Sequence, residues 1–363
     1  MRIGIISMQK IHNYGSFLQA YSLKHQLEKR GHDVYFVDIL PGRQIVPMPS
    51  YEGGIRKYLS KFDRYVLKRV ENYFFFKKMT RIHIDDYEQY LETAKTVSDG
   101  ERFDLVIIGS DEVFNATAPS GWGFSTQLFG DVNNADRVVT YAASCGSTTV
   151  KRAMDCGIEG DLKRAMSNLE HISVRDVNTA EFARAFTDTD VQMHVDPVFI
   201  SNYDDMIPAI KSKRPYMLVY AYDNRIKDER EIAAIKAYAK DKGLEILSVG
   251  MQQRWCNNNI TANAFELLSY VKGAECVVTD TFHGTVFSMK YNKRFVSLIR
   301  ESNKNKLGGL LDQFDLSQRS VDNIDDIALV MDAEIDYAAV NEKIENEQKR
   351  SYKYLDEITS AEK

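Results

Sequence analysis

The sequence predicts an α/β protein built from two doubly wound parallel sheets that face one another. Short β-branched runs alternate with helix-length amphipathic segments along most of the chain. A strand "RIGIIS", a helix "FLQAYSLKHQLEKRG" and a strand "HDVYFVDI" follow one another within about forty residues, a βαβ unit whose strands must pair in parallel. The alternation pauses near residue 205 and then restarts, so 363 residues divide into two units of ordinary domain size.

In the first unit, residues 1–205, Phe17, Leu18, Tyr21, Leu23 and Leu27 recur at helical spacing, and Gly31 is placed to stop that helix. "FDLVIIGS", "RVVTYAASCG", "HISVRD" and "VQMHVDPVF" read as further strands, each separated by a helix. Pro197 and the polar "SNYDD" behind it close the unit. The second unit, 206–330, reads "YMLVYAY", a helix from Lys227 to Lys242, "LEILSVG", a helix from Ala262 to Lys272, "CVVTD", a helix "FHGTVFSMKYN" and a strand "RFVSLI". Two segments lie outside this alternation. About residues 51–83, "IRKYLSKFDRYVLKRVENYFFFKKM" is basic, aromatic and helical in pattern; its rings either pack on their own domain or meet an anionic membrane surface. Residues 331–363 form a charged helix expected to cross back onto the first domain. No repeat of fixed period is present.

A net charge of −5 argues against a dedicated nucleic-acid binder. No run reaches the roughly 20 apolar residues of a membrane span, and the apolar start is too short for a secretory leader. The four cysteines, at 145, 156, 256 and 276, form no CxxC pair and read as reduced, buried thiols. A cytoplasmic protein is expected, with the basic helix offering contact to the inner face of the membrane. The oligomeric state is not set by any of these features.

Ligands of open parallel sheets collect beyond the carboxyl ends of the strands. The strand-end loops "HNYGS", "GSDEVFN", "SCGS" and "TDTFHGT" each place small or polar residues just ahead of an expected helix, where unpaired N–H groups attract anions. None is a Walker loop or a GxGxxG turn, and no HExxH appears, so neither a nucleotide cofactor nor a metal is expected. Cys145 would act as a nucleophile only with an activating partner. His283 ends the buried run "VVTD", is flanked by Thr281, Gly284 and Thr285, and starts a helix; it is either a proton-transfer group or a helix cap. His12, in the first loop, and Thr281 are candidate ligand contacts.

"VVTDTFHGTVFSMKYNKRFV" and "NYGSFLQAYSLKHQLEKRGHDVYFVD" together resemble the polysaccharide pyruvyl transferase family, with "FDLVIIGSDEVFN", "YAASCG", "ISVRD" and "VDPVF" between them in that family's order. The resemblance runs over about residues 1–315 and implies two Rossmann-like domains with a cleft, as in GT-B glycosyltransferases. It also implies transfer of a pyruvyl group from phosphoenolpyruvate, as co-substrate, to a glycan or lipid-linked sugar of the cell surface, forming a ketal. The family's histidine falls on His283 and its arginine on Arg175, and its first-helix loop falls on Asn13, Tyr14, Gly15 and Ser16. Arg175 offers the planar fork that fits a carboxylate or phosphate; the alternative is an ion pair with a neighbouring acid. Ser110, Gly284 and Thr285 join the donor-binding set, and Asp111 is a candidate base for an acceptor hydroxyl or else caps a following helix. Many members carry arginine where this chain has Thr281, so Lys290, Lys293, Arg294 or a first-domain cation is expected to replace it. Two further readings are a glycosyltransferase with a nucleotide-sugar donor and a non-catalytic relative that binds glycan.

Overall fold

The structure, a computed structural model, describes residues 1–47, 64–91, 101–210, 212–223, 225–300 and 303–360, with side chains from residue 72 onward in the second segment. The first sheet runs β2 (Asp33–Phe36), β1 (Arg2–Ile6), β3 (Phe103–Ile108) and β4 (Ala135–Thr140), all parallel. Bridges from Val139 to His171 and from Ala143 to Val174 carry it on to β5 (Ile172–Val174), which pairs with β6 (Val191–Met193). The second sheet runs β11 (Arg294–Ser297), β10 (Cys276–Thr279), β7 (Tyr216–Tyr220), β8 (Glu245–Val249) and β9 (Asn258–Ile260), again all parallel. Strands such as β3, β7 and β10 are buried almost throughout, as sheets covered on both faces require.

The helices of the first half are α1 (Tyr14–Glu28), α2 (Arg64–Tyr90), α3 (Val150–Asp155), α4 (Glu159–Met166) and α5 (Val177–Arg184). Those of the second are α6 (Glu229–Asp241), α7 (Ala264–Gly273), α8 (Phe282–Lys290), α9 (Lys304–Gln313), α10 (Ile327–Asp332) and α11 (Tyr337–Thr359). One expected helix is absent. Between β3 and β4 the described chain makes only loop and a 3-10 turn at Thr126–Phe129, because "NATAPSGWGF" is too rich in Gly, Pro and Ser to sustain a helix. The helix α9 was not foreseen, and it proves central to the cleft.

In each sheet the strand order reverses once, between β1 and β3 in the first and between β7 and β10 in the second. Connections on either side of a reversal leave to opposite faces, and a crevice opens beyond the strand ends. The two crevices face each other because one apolar layer joins the sheets: Tyr14 and Phe17 of α1, Tyr220 of β7, Phe265 of α7 and Phe287 of α8 belong to a single core. Phe265 makes edge-on contacts with Phe17, Tyr21 and Tyr90 at centroid distances of 6.1, 5.4 and 5.1 Å. Each such pair contributes about 0.5–1.5 kcal/mol beyond the area it buries.

Residues 51–63 of the basic aromatic segment lie outside the described residues, and 64–83 belong to α2. Met79, Ile82, Tyr87 and Tyr90 of α2 pack on the shared core, while Tyr73, Phe74 and Phe76 stay exposed. Among the described residues no helix is long and apolar enough to cross a membrane. The final helix α11 lies along the first sheet: Tyr354 Oη donates to the Thr140 carbonyl at 2.8 Å, and Gln348 and Tyr352 donate to the carbonyls of Phe199 and Ile200.

Candidate active site between the two sheets

The loop after β1 ends in Asn13, whose side chain accepts the Gly15 N–H at 2.8 Å and starts α1. The loop after β10 ends in Thr281, which accepts the Gly284 N–H at 2.9 Å and starts α8. The two first turns abut. A Cβ on Gly15 would stand 2.0 Å from His283 Nδ1, so only glycine lets the imidazole lie against that backbone. Across the same seam Asn13 Nδ2 donates to Tyr222 Oη at 3.2 Å.

His283 is the end of a buried chain of polar groups. Its Nε2 lies 3.4 Å from Asp196 Oδ2, and that oxygen accepts Arg175 Nη1 at 2.7 Å. The other Asp196 oxygen accepts the Val198 N–H at 3.0 Å, which fixes the carboxylate in the loop after β6. Burial alone would raise the Asp196 pKa, but His283, Arg175 and the backbone donor together pull it down to about 2. Arg175, 5% exposed, lays its guanidinium over the Phe282 ring, 4.0 Å from its centroid. Its Nη2 is 3.9 Å from Asp111 Oδ1, and its buried Nε has no hydrogen-bond partner among the described residues.

Asp111 follows β3 with φ +68°, an unusual value for a residue with a Cβ. Its carbonyl accepts the Ser144 N–H, and its Oδ2 accepts the Ser16 hydroxyl at 2.6 Å, so loops from three strand ends hold it. No helix follows it, which removes the capping role. Next to it Glu112 Oε1 accepts Lys306 Nζ of α9 at 2.7 Å, a pair that spans the cleft. Burial works against both charges, yet their mutual attraction wins: Glu112 is held below, and Lys306 above, their ordinary values.

Two pockets open on either side of this partition. One, of about 430 Å³, is lined by Asn13, Ser16, Asp111, Glu112, Trp122 and Tyr222 among others. The other, of about 470 Å³, is lined by Arg175, Asp196, Phe282 and Lys306, with α9 as one wall.

The expected residues therefore divide. His283, Arg175, Asp111, Asn13, Gly15 and Ser16 converge at the seam, although His283 itself lines neither pocket and reaches them only through Asp196 and Arg175. Its place is behind Asp196 and Arg175, not in either pocket wall. Tyr14 is a core residue whose hydroxyl donates to the Ala262 carbonyl at 2.6 Å. Ser110 is buried, bonded to Ala142 and Gln19. The Gly284 N–H is taken by Thr281, and the Thr285 hydroxyl by Ser297 and the Thr281 carbonyl, so neither is free for a donor. Thr281 serves as cap, and His12 is exposed beside His83, outside both pockets.

None of the three cations expected to stand in for arginine reaches the site. Lys290 lies about 10 Å of helix beyond His283 and donates to the Ser201 carbonyl. Lys293 donates to the Ala274 carbonyl, and Arg294 is exposed at the entry of β11, opposite the start of β10 and so at the other end of the strands from His283. Among the described residues, Lys306 is the second-sheet cation that lines the cleft. Neither it nor its partner Glu112 carries a local signal, and both emerge only from the packing of α9. Asp196 had a signal, a strand end followed by proline in "VDPVF", where it accepts the Val198 N–H. Cys145 is buried with its thiol pKa pushed up to about 12, so it stays protonated at neutral pH. Among the described residues no three His, Cys, Asp or Glu side chains converge as a metal site requires.

Comparison with known proteins bears on this arrangement. A sequence model described as polysaccharide pyruvyl transferase matches residues 13–302. No curated protein sequence matches. Among solved structures, the glycosyltransferase SsfS6 of Streptomyces sp. SF2575, complexed with thymidine diphosphate, aligns with TM-score 0.50 and 13% identity over 99% of this chain and 100% of its own. The UDP-GlcNAc 2-epimerase of Methanocaldococcus jannaschii aligns with TM-score 0.50 and 10% identity over 93% of each chain. An O-GlcNAc transferase variant of Thermobaculum terrenum aligns with TM-score 0.44 and 12% identity over 97% of this chain, which spans 64% of that longer protein. At such identities the likeness concerns the fold, two Rossmann-like domains of GT-B type.

Proposed function

The chain belongs to the polysaccharide pyruvyl transferase family, and from that premise we propose that it moves the pyruvyl group of phosphoenolpyruvate onto a sugar of a surface glycan or its precursor. It is a transferase of GT-B fold that carries a small donor to a sugar or glycan acceptor. The observation that carries the finer reading is Arg175. A guanidinium so deeply buried, with one nitrogen paired to Asp196 and Nε unpaired, leaves donors unsatisfied, which costs free energy until an acceptor arrives.

Phosphoenolpyruvate brings a carboxylate and a phosphate, and Arg175 and Lys306 line one pocket to meet them. The acids of that pocket are already engaged: Asp196 by Arg175, Asp176 by Thr179 and Ser144, Asp312 by Ser317. In the reaction two acceptor hydroxyls add to the enol carbon and the carbon–phosphate oxygen bond breaks. One hydroxyl proton ends on the methylene carbon, which becomes methyl, and the other leaves with phosphate. Asp111, in the neighbouring pocket, is placed to take the first hydroxyl proton. His283 positions Arg175 through Asp196 and keeps that carboxylate charged. Such a donor assigns the reaction to the cytoplasm.

A nucleotide-sugar donor in the same cleft is the second reading. The breadth of the structural likeness favours it, since SsfS6 is complexed with thymidine diphosphate; the family match favours pyruvyl transfer. Thermal stability separates them. Phosphoenolpyruvate is expected to raise the melting temperature, with the rise reduced in Arg175→Lys, whose ammonium cannot make the bidentate contact. Phosphate release with a sugar panel then checks turnover. Stabilisation by thymidine or uridine diphosphate compounds, with none by phosphoenolpyruvate, sinks the first reading and supports the second.

A further inference from the structure

The two pockets are separated by two ion pairs, and the charges on the partition are sorted. Asp111 and Glu112 line the 430 Å³ pocket, Arg175 and Lys306 the 470 Å³ one. Among the described residues no lysine or arginine lines the first pocket. An anionic donor is therefore repelled from it, while a neutral, hydroxyl-rich molecule finds acceptors for its O–H groups there. The rest of the lining mixes small polar side chains, among them Asn13, Ser16 and Asn115, with an apolar and aromatic set in which Met8, Ile11, Trp122, Phe124 and Phe129 are prominent. A pyranose has this same division, an apolar C–H face and a rim of hydroxyls.

The aromatic wall is rigid. The Trp122 carbonyl accepts the Gly42 N–H at 2.7 Å, and Phe124 N–H donates to the Arg43 carbonyl at 2.9 Å, which ties the loop after β3 to the segment after β2. Trp122 packs on the first-sheet core and remains half-buried, with surface left for a ligand. We propose that this pocket is the acceptor subsite, holding one pyranose with its C–H face on Trp122 and a pair of its hydroxyls toward Asp111 and the donor pocket. The assignment rests on the sugar-transferase reading, but not on which donor is used.

The chain has two tryptophans, and Trp255 does not line this pocket; its indole N–H is bonded to the Ile226 carbonyl and its ring packs on the second-sheet core. Emission of the Trp255→Phe protein thus reports on Trp122 alone. Titration with the methyl β-pyranosides of glucose, galactose, mannose and N-acetylglucosamine is expected to change that emission saturably with at least one sugar, with or without phosphoenolpyruvate. With the most effective sugar as acceptor, Trp122→Ala is expected to raise the acceptor KM about tenfold and leave the donor KM unchanged, and Trp122→Phe to restore most of the loss. Absence of any saturable change up to about 100 mM, weaker than recognition by a built subsite would be, overturns the assignment. So does saturation by thymidine diphosphate in place of the sugars, or a donor KM that rises with the acceptor KM. Sugar binding at Trp122 in a protein that phosphoenolpyruvate does not stabilise, and that releases no phosphate from it, keeps the subsite and removes the pyruvyl donor, so the two failures are told apart.

Discussion

The starts of α1 and α8 look alike and do different work. Both follow a buried strand, both are capped by a polar side chain on a nearby N–H, and both hold a glycine in the first turn. At α1 the missing Cβ makes room for a side chain of the other sheet, His283. At α8 it makes room for the domain's own interior: a Cβ on Gly284 would stand 2.1 Å from Thr279 Oγ1 and 2.8 Å from Tyr220 Cδ1. One glycine shapes the seam between domains and the other shapes a core. Local sequence cannot distinguish them, because the distinction lies in what packs opposite.

The largest expected effect breaks that pair apart. Gly284→Ala must displace Thr279, whose hydroxyl is bonded to the Tyr220 carbonyl at 2.6 Å, and is expected to cost about 3 kcal/mol of folding stability by urea unfolding. A loss under about 1 kcal/mol would show that the α8 turn shifts freely. Gly15→Ala meets a ring that can swing aside, so the fold is expected to lose only about 1 kcal/mol. The displaced His283 then leaves Asp196, and kcat is expected to fall at least about tenfold. Unchanged kcat in Gly15→Ala would detach His283 from the chemistry.

A third helix start sharpens the comparison with the smallest effect. Ala264, first in α7, donates its N–H to Asp86 Oδ2 of α2 at 3.0 Å. Burial raises the Asp86 pKa to about 6. Since that value exceeds the unfolded one, its favourable contribution is complete below about pH 4 and is lost as pH rises through 6. Asp86→Asn keeps an acceptor but no charge, so its stability relative to the native protein is expected to improve by on the order of 2 kcal/mol from pH 4 to pH 8. A pH-independent difference would mean that Asp86 titrates normally.

Much of the molecule was legible beforehand, for identifiable reasons. Parallel strands buried on both faces must be continuous apolar runs, so β1, β3, β7 and β10 announced themselves, and the strand ends marked where ligands collect. His283 and Arg175 drew attention as candidates because each follows such an end. Lys290, Lys293 and Arg294 lie away from the seam for a geometric reason: the chain neighbours of His283 are carried a helix length away, to the opposite end of the strands. Tyr14, Ser110 and Thr285 were near the site in sequence but turned into the core, satisfied by the carbonyls and hydroxyls there.

By itself the amino-acid order determined two parallel α/β units and the loops that carry polar groups, because periodicity and capping are short-range. Only the tertiary structure decided that Asp196 would join Arg175 to His283, that Lys306 would close on Glu112, and that in the two bridging ion pairs the acids would line one pocket and the cations the other. Those contacts join residues from 21 to 194 positions apart. Their distances are set by how two sheets press on a shared apolar layer, a quantity that no local stretch of chain contains.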